Sequence, residues 1–408
     1  MNKIAIVSTI QPETHYTRYL YKGLKQANVS VFLLVDDIPE NFEYVRNLKD
    51  KNVVVLWKKG ITLPLKILFF ALRKHLKVIH LQHEFNMYGG IVGVPFFLLT
   101  LALLKCFGKK IAITSHAVIN SNDVDEDFLE VFALSKYKGA KKMIKYAFYW
   151  FFKLMGLLAD IIIVHSQFTK DVYKATYRIS DEKVVVIPIG ITSDAQKAGA
   201  ACTVVSTAAW MNSIESKRII LFFGYLLHRK GIDLLIDAYA DLYEQGKLDD
   251  SVLVLAGGSL SNQQEYVEYL KELARKREVE KNVVFTGFLN EKEISYLYSR
   301  SEFVVLPYTH SVSSSMPLSL AFQFSKPVIV SDIGTLRDEV EEGVNGLFFE
   351  NKDRNDLKDK IRLLYSDTNL LNRLKLGTQS EVYKRSWVNV AKTTHSLVYE
   401  RLLQNESF

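Results

Sequence analysis

Cysteine is nearly absent, with only Cys106 and Cys202 in 408 residues. Two thiols cannot build a disulfide framework, and no C-x-x-C pair or His/Cys cluster has metal-ligand spacing. No metal site is therefore expected, and a reducing, cytoplasmic compartment fits best. No signal peptide is expected either. MNKIAIVSTI runs straight into an apolar strand pattern, without a long apolar core or a small-residue cleavage site. The net charge is +7, yet no DNA- or RNA-binding signature accompanies it, so nucleic acid is not an expected partner. The surplus suits phosphorylated substrates or an anionic membrane surface.

What is present belongs to a folded chain, 48% hydrophobic and 24% charged. Its length exceeds one ordinary core, so two domains are expected. Short β-branched runs recur at 3–7, 29–35, 53–56, 78–81, 111–114, 161–165 and 184–188, then at 219–223, 252–256, 283–286, 303–306, 328–331 and 347–349. Several are continuous (IIIV, VVVI, IILFF, VLVLA), as in strands covered on both faces. Helix-length segments separate them, which predicts α/β architecture with parallel sheets. The pattern occurs twice, around an irregular stretch at 190–217. This places a first domain at 1–200 and a second at 217–385. The helical tail, 386–408, is free to cross back onto the first domain.

Residues 91–104 (IVGVPFFLLTLALL) approach the length of a spanning helix. Strand-like runs on both sides make them a buried crossover helix instead, since parallel neighbours start at the same sheet edge. Residues 136–158 mix lysines with aromatics, and 62–77 do so more weakly. That is the pattern of helices lying in a membrane interface, and equally of core-packing helices with lysine-rich outer faces.

In doubly wound sheets, ligands bind beyond the carboxyl ends of the strands. Four of the nine histidines (His80, His83, His116 and His165) cluster at three such ends in the first domain, with Gln82 and Glu84 beside them. In the second domain the first strand ends in Gly224, and Arg229 and Lys230 precede an apolar helix. Two cations beside a helix N-terminus make an anion site. Further on, Ser313, Ser314 and Ser315 lead into Met316, Pro317 and Leu318. Proline suits a first helical turn. The hydroxyls and free amides there suit a diphosphate, with capping by one serine as the plainer alternative.

Together these segments resemble glycosyltransferase family 4, retaining enzymes of the GT-B fold. FFGYLLHRKGIDLLIDAYADL, VLVLAGG, VVFTGFL and PLSLAFQFSKPVIVSDIGTLRDEVEEGVNGLFF are similar to its donor-domain blocks, and TSH and VHSQFTKD to its acceptor-domain motifs. The resemblance implies two Rossmann-like doubly wound parallel-sheet domains facing a cleft. It implies transfer of a sugar from a nucleotide-diphosphate sugar to a saccharide or lipid-linked acceptor, with retention and without metal or cofactor. Lys230 falls on the donor-phosphate lysine, and His116 on a contact to the donor sugar or its phosphate. Arg229 joins them in the catalytic set; Gly224 and Ser313–Leu318 form the donor side. His83, Glu84 and His165 are acceptor-side candidates. The expected location is cytoplasmic, with the lysine- and aromatic-rich segments leaving open a peripheral place on the inner face of a membrane. The family's E-x7-E glutamates are replaced here by Val312 and Leu320, and its usual strand-end arginine by Tyr225. The alternative reading is therefore a weak or inactive relative serving as a subunit of a transferase complex.

Overall fold

A computed structural model describes residues 3–11, 16–84, 87–131, 139–192, 209–259, 264–310 and 314–404. Each apolar run forms a strand, and every pairing between strands is parallel. The first sheet holds β1 (Ile4–Ser8), β2 (Phe32–Asp36), β3 (Val53–Trp57), β4 (Val78–His83), β5 (Lys110–Ser115), β6 (Ile161–Val164) and β7 (Val184–Val186), in the order 3-2-1-4-5-6-7. The second holds β8 (Arg218–Phe223), β9 (Ser251–Ala256), β10 (Val283–Gly287), β11 (Ser301–Leu306), β12 (Val328–Ser331) and β13 (Gly346–Phe349), in the order 10-9-8-11-12-13. Two doubly wound Rossmann-like domains result, facing a central cleft. Both strand orders reverse once, at β1/β4 and β8/β11, which opens a crevice at each reversal.

Strand 29–35 starts later than expected, at Phe32. The Val29 amide still bonds back to the Leu24 carbonyl at 2.8 Å, completing the end of α1 (Tyr16–Gln26). Alternating residues of β1 enter opposite cores: Ala5 and Val7 join one cluster, Ile4 and Ile6 the other. This is why the runs are apolar throughout rather than at every second position. Between the strands run α2 (Pro39–Leu48) and α5 (Glu126–Val131), and on the Ala5 side lie α3 (Leu63–Arg73), α4 (Val94–Cys106) and α6 (Lys141–Leu158).

Helix α4 links neighbouring parallel strands β4 and β5 as a crossover. Among the described residues no helix is long and apolar enough to cross a membrane. The expectation that residues 91–104 are buried needs correction, however. Phe97, Leu101 and Leu104 enter the core, whereas Ile91 and Val92 are 87% and 77% exposed and Leu99 is half exposed. The segment is apolar all round but covered on one side only.

Beyond the second sheet the Trp387–Thr394 helix packs on α1. A Cβ on Gly23 would lie 2.4 Å from the Trp387 carbonyl oxygen, and one on Gly190 would lie 2.4 Å from its ring. Both glycines are required by this close approach. Arg385 ties the halves together: its Nε donates to the Ile189 carbonyl at 3.0 Å and its guanidinium pairs with buried Glu339 at 3.3 Å. The Phe168 amide donates to Asp338 at 2.6 Å, and Thr192 Oγ1 to Gln323 Oε1 at 2.7 Å, across the same gap. Most of the irregular stretch between the halves, 193–208, lies outside the described residues.

Candidate functional site

On the first-domain side the contacts across the gap come from residues beyond the carboxyl ends of β6 and β7, and on the second-domain side from the Met316–Gln323 and Gly334–Glu339 helices and from Arg385. On the second-domain side, β8 ends in Gly224, whose φ of +145° few other residues adopt. A Cβ there would lie 3.8 Å from Pro317, so the strand end abuts the Met316–Gln323 helix. Gly257, at the end of β9, comes so close that an added Cβ would meet the Gly224 carbonyl oxygen at 2.0 Å.

Arg229 and Lys230 follow in a short 3-10 turn closed by Gly231 at φ +59°, where a Cβ would strike the Pro307 oxygen at 2.1 Å. The turn folds onto the end of β11: the Thr309 amide donates to the Arg229 carbonyl at 3.0 Å. Lys230 Nζ sits 3.3 Å from the centre of the Tyr308 ring. The Tyr308 hydroxyl in turn lies 3.2 Å from Ser315 Oγ, the cap of the Met316–Gln323 helix. Arg229, Lys230, Tyr308, Ser315, Pro317 and Gly224 are thereby gathered at one place. Among the described residues no carboxylate pairs with Lys230. Burial holds its pKa well below the usual lysine range, and Arg229 lowers it further. Burial also lowers Arg229. Two cations desolvated beside a helix N-terminus are arranged for an anion.

The serines divide. Ser313 lies outside the described residues. Ser315 is buried and accepts the Leu318 amide at 3.4 Å, so its hydroxyl serves mainly as the ordinary cap. Ser314 approaches Glu339, whose carboxyl is raised by burial against the pull of Arg385, the Ser314 hydroxyl and the Ser315 amide. Glu339, already paired with Arg385, thus stands beside the helix entrance. Met316 is half exposed and Leu318 is buried, so Leu318 offers a ligand its backbone alone.

On the first-domain side the histidines form a chain. His165 Nδ1 faces the Ile187 carbonyl at 2.8 Å and must carry the hydrogen. Burial holds this ring down to about 4, so it is neutral and its Nε2 accepts from His116 Nδ1–H at 3.0 Å. His116 Nε2 meets the Gln82 amide oxygen at 2.9 Å, and the Gln82 nitrogen lies 3.1 Å from His80. His80 continues to Tyr399 in the tail at 2.7 Å. The ring of Tyr16 packs edge-on against His116, 4.8 Å between centroids. A primary amide can turn either its oxygen or its NH2 to His116, and so accommodates that ring protonated or neutral.

Only His116 of the four histidines is partly open to the cleft. His83, wedged between Phe97 and Phe151 at 5.0 and 5.1 Å, is 3% exposed, and His165 is 4% exposed. Both are nearly closed off by their neighbours, and His83 lines a small cavity together with Glu84. Glu84 is exposed at the rim. Tyr308 and Tyr16 were missed in the sequence, although Tyr308 lies at a strand end as the other candidates do, and Gln82 was noted there without a role. Nothing local marked Glu339 or Arg385. No group of three or more His, Cys, Asp or Glu among the described residues could hold a metal ion.

Comparison with known proteins agrees with this layout. The model of "Glycosyltransferase Family 4" matches residues 14–195, and that of "Glycosyl transferases group 1" matches residues 209–380. An uncharacterized glycosyltransferase of Methanocaldococcus jannaschii is 29% identical over 181 residues, 44% of each chain. A D-inositol 3-phosphate glycosyltransferase of Corynebacterium jeikeium is 26% identical over 247 residues, 60% of this chain and 58% of that one. The chain thus spans about half the length of these curated relatives. The crystal structure of Anabaena HepE in complex with UDP superposes with a TM-score of 0.73 at 17% identity, covering 98% of this chain and 100% of that one. A glycosyltransferase from Rickettsia africae gives 0.73 at 16% identity, covering 99% of each.

Proposed function

We infer, for a chain that belongs with the GT-B glycosyltransferases related to family 4 and group 1, that it moves a sugar from a nucleotide-diphosphate sugar to an acceptor hydroxyl. The observation that carries this reading is the convergence of Lys230, Arg229 and Tyr308 on the capped start of the Met316–Gln323 helix, with no carboxylate set against Lys230 among the described residues. A departing diphosphate supplies the missing negative charge, and preorganised cations and amides stabilise it more as its charge develops. The acceptor oxygen attacks the anomeric carbon from the face the diphosphate leaves. The C–O bond to phosphate breaks, and a phosphate oxygen takes the acceptor proton. Configuration is retained, and the step needs neither an enzyme nucleophile nor a metal. In this reading His116, from the first domain, contacts the donor sugar or its phosphate. Closure of the domains would keep water from the donor.

The saccharide acceptor enters from the first domain, where Glu84 stands at the rim. The relatives D-inositol 3-phosphate glycosyltransferase and UDP-bound HepE make a sugar-like acceptor and a uridine nucleotide the first to try. We place the protein in the cytoplasm, peripherally on a membrane. The test is slow hydrolysis of UDP-, GDP- and ADP-sugars. Lys230→Ala should lower the rate roughly 100-fold while the fold melts normally. Binding without turnover, even with candidate acceptors, would favour a non-catalytic subunit, the reading that Val312 and Leu320 in place of glutamates supports.

A further inference from the structure

Helices α3, α4 and α6 lie side by side on one face of the first sheet. Their inner residues, such as Ile67, Leu101 and Phe152, fill the core. Their outer residues are apolar as well. Ile61 is 75% and Phe69 69% exposed, with Leu65 between them; Ile91, Val92 and Leu99 follow on α4 and its entry. On α6 the exposed residues are Met143, Tyr146, Trp150, Leu154 and Leu157, spaced three or four apart and hence one stripe. Scattered exposed apolar residues are ordinary. Stripes on three adjoining helices make a contiguous patch, and such patches mark an interaction surface.

Charge identifies the occupant. Segments 58–77, 87–110 and 139–159, which form these helices and their turns, hold thirteen lysines and arginines and no aspartate or glutamate. Protein–protein interfaces are depleted in lysine. An anionic lipid surface takes apolar side chains between its headgroups and cations against its phosphates at once. Tryptophan and tyrosine, here Trp150 and Tyr146, favour that interfacial depth.

We propose that the α3–α4–α6 face docks on an anionic lipid bilayer and sets the mouth of the cleft at the membrane plane. The patch is continuous with the candidate site. Helix α4 begins beyond the carboxyl end of β4, and a small cavity lined by His83, Glu84, Val94, Phe97 and Phe151 joins its start to the rim. An acceptor carried on a lipid then reaches Glu84 by moving along the membrane without leaving it. This last step rests on the sugar-transfer reading; the docking itself does not.

Flotation of the full chain with vesicles tests the surface. Binding is expected to vesicles containing phosphatidylglycerol and not to phosphatidylcholine alone. Phe69→Asp and Trp150→Asp should each weaken it about tenfold or more. Lys66→Gln and Lys142→Gln should each weaken it roughly fivefold, with a matching drop in salt sensitivity. Melting temperature and vesicle-free donor hydrolysis should stay at the parent's values, because none of these residues touches the cleft. Absence of binding to anionic vesicles, or binding indifferent to all four changes, overturns the proposal. So does a dimer in light scattering that Trp150→Asp splits, for then a second copy covers the patch. Vesicle binding in a protein that hydrolyses no donor would remove the transfer reading and leave the docking intact.

Discussion

Lys230 carries its charge against burial and against Arg229, and both lower its pKa. A bound diphosphate reverses that balance, so binding should draw a proton onto the lysine wherever the free site has lost one. The affinity for a nucleoside diphosphate should therefore fall as pH rises through the depressed lysine pKa, below the ordinary value of about 10.4. Calorimetry in buffers of different ionisation enthalpy reads the proton uptake directly, and Lys230→Met should abolish both the uptake and the slope. A flat affinity in the parent protein would mean that Lys230 does not face the phosphates. Tyr308 belongs to the same argument. Its ring holds the ammonium at 3.3 Å without neutralising it, which an aspartate in its place would do.

Elements reach the site through their turns. At the ends of β8 and β9, Gly257 has neither room nor backbone freedom for a side chain, whereas Gly224 has room but a φ of +145°. Gly257→Ala places a Cβ 2.0 Å from the Gly224 oxygen at a φ of +133°. It should cost at least about 1–3 kcal/mol in urea unfolding and weaken donor binding together with stability. Gly108→Ala is the control. Its φ is also positive, at +68°, but nothing lies within 4 Å, so it should cost only about 1 kcal/mol and leave donor binding alone. Equal losses in the two variants would show that the β8–β9 contact does not shape the site.

For the whole molecule, Arg385 and the tail decide how the halves meet. Arg385 and Glu339 are both buried, so removing one partner strands a charge. Arg385→Leu should cost about 3–5 kcal/mol near neutral pH. Its pH dependence has a definite sign. Burial already raises the Glu339 carboxyl, and losing Arg385 raises it further. Below the unfolded carboxylate pKa the group is protonated in both states and the penalty vanishes; it grows as pH rises through the folded value. Denaturation across acid to neutral pH should show that trend, and a pH-independent deficit would assign the loss to packing alone. Trp387 fills the contact between tail and α1, stacked 5.4 Å from Tyr19 and edge-on to Tyr16 at 5.0 Å. Trp387→Ala should lower stability by about 3–5 kcal/mol. Because Tyr16 also touches His116, donor hydrolysis should fall as well.

The sequence by itself determined the thirteen strands, the two parallel sheets and the basic turn at Arg229 and Lys230. Strands buried on both faces must be apolar at every position, and a loop that carries cations into a helix start is a local feature. Pairwise encounters between distant segments were decided only in three dimensions. Helix α4 and the turn leading into it are apolar all round whether one side or both are covered, so exposed Ile91, Val92 and Leu99 could not be told from core residues. Ser314 and Ser315 looked free because Glu339, the carboxylate beside them, arrives from a different helix. His83 and His165 shared a strand-end position with His116, and neighbouring rings and a backbone carbonyl, not their own positions, turned them inward. Such outcomes depend on which side of an element meets which neighbour, and that choice is made by packing, where periodicity along the chain carries no signal.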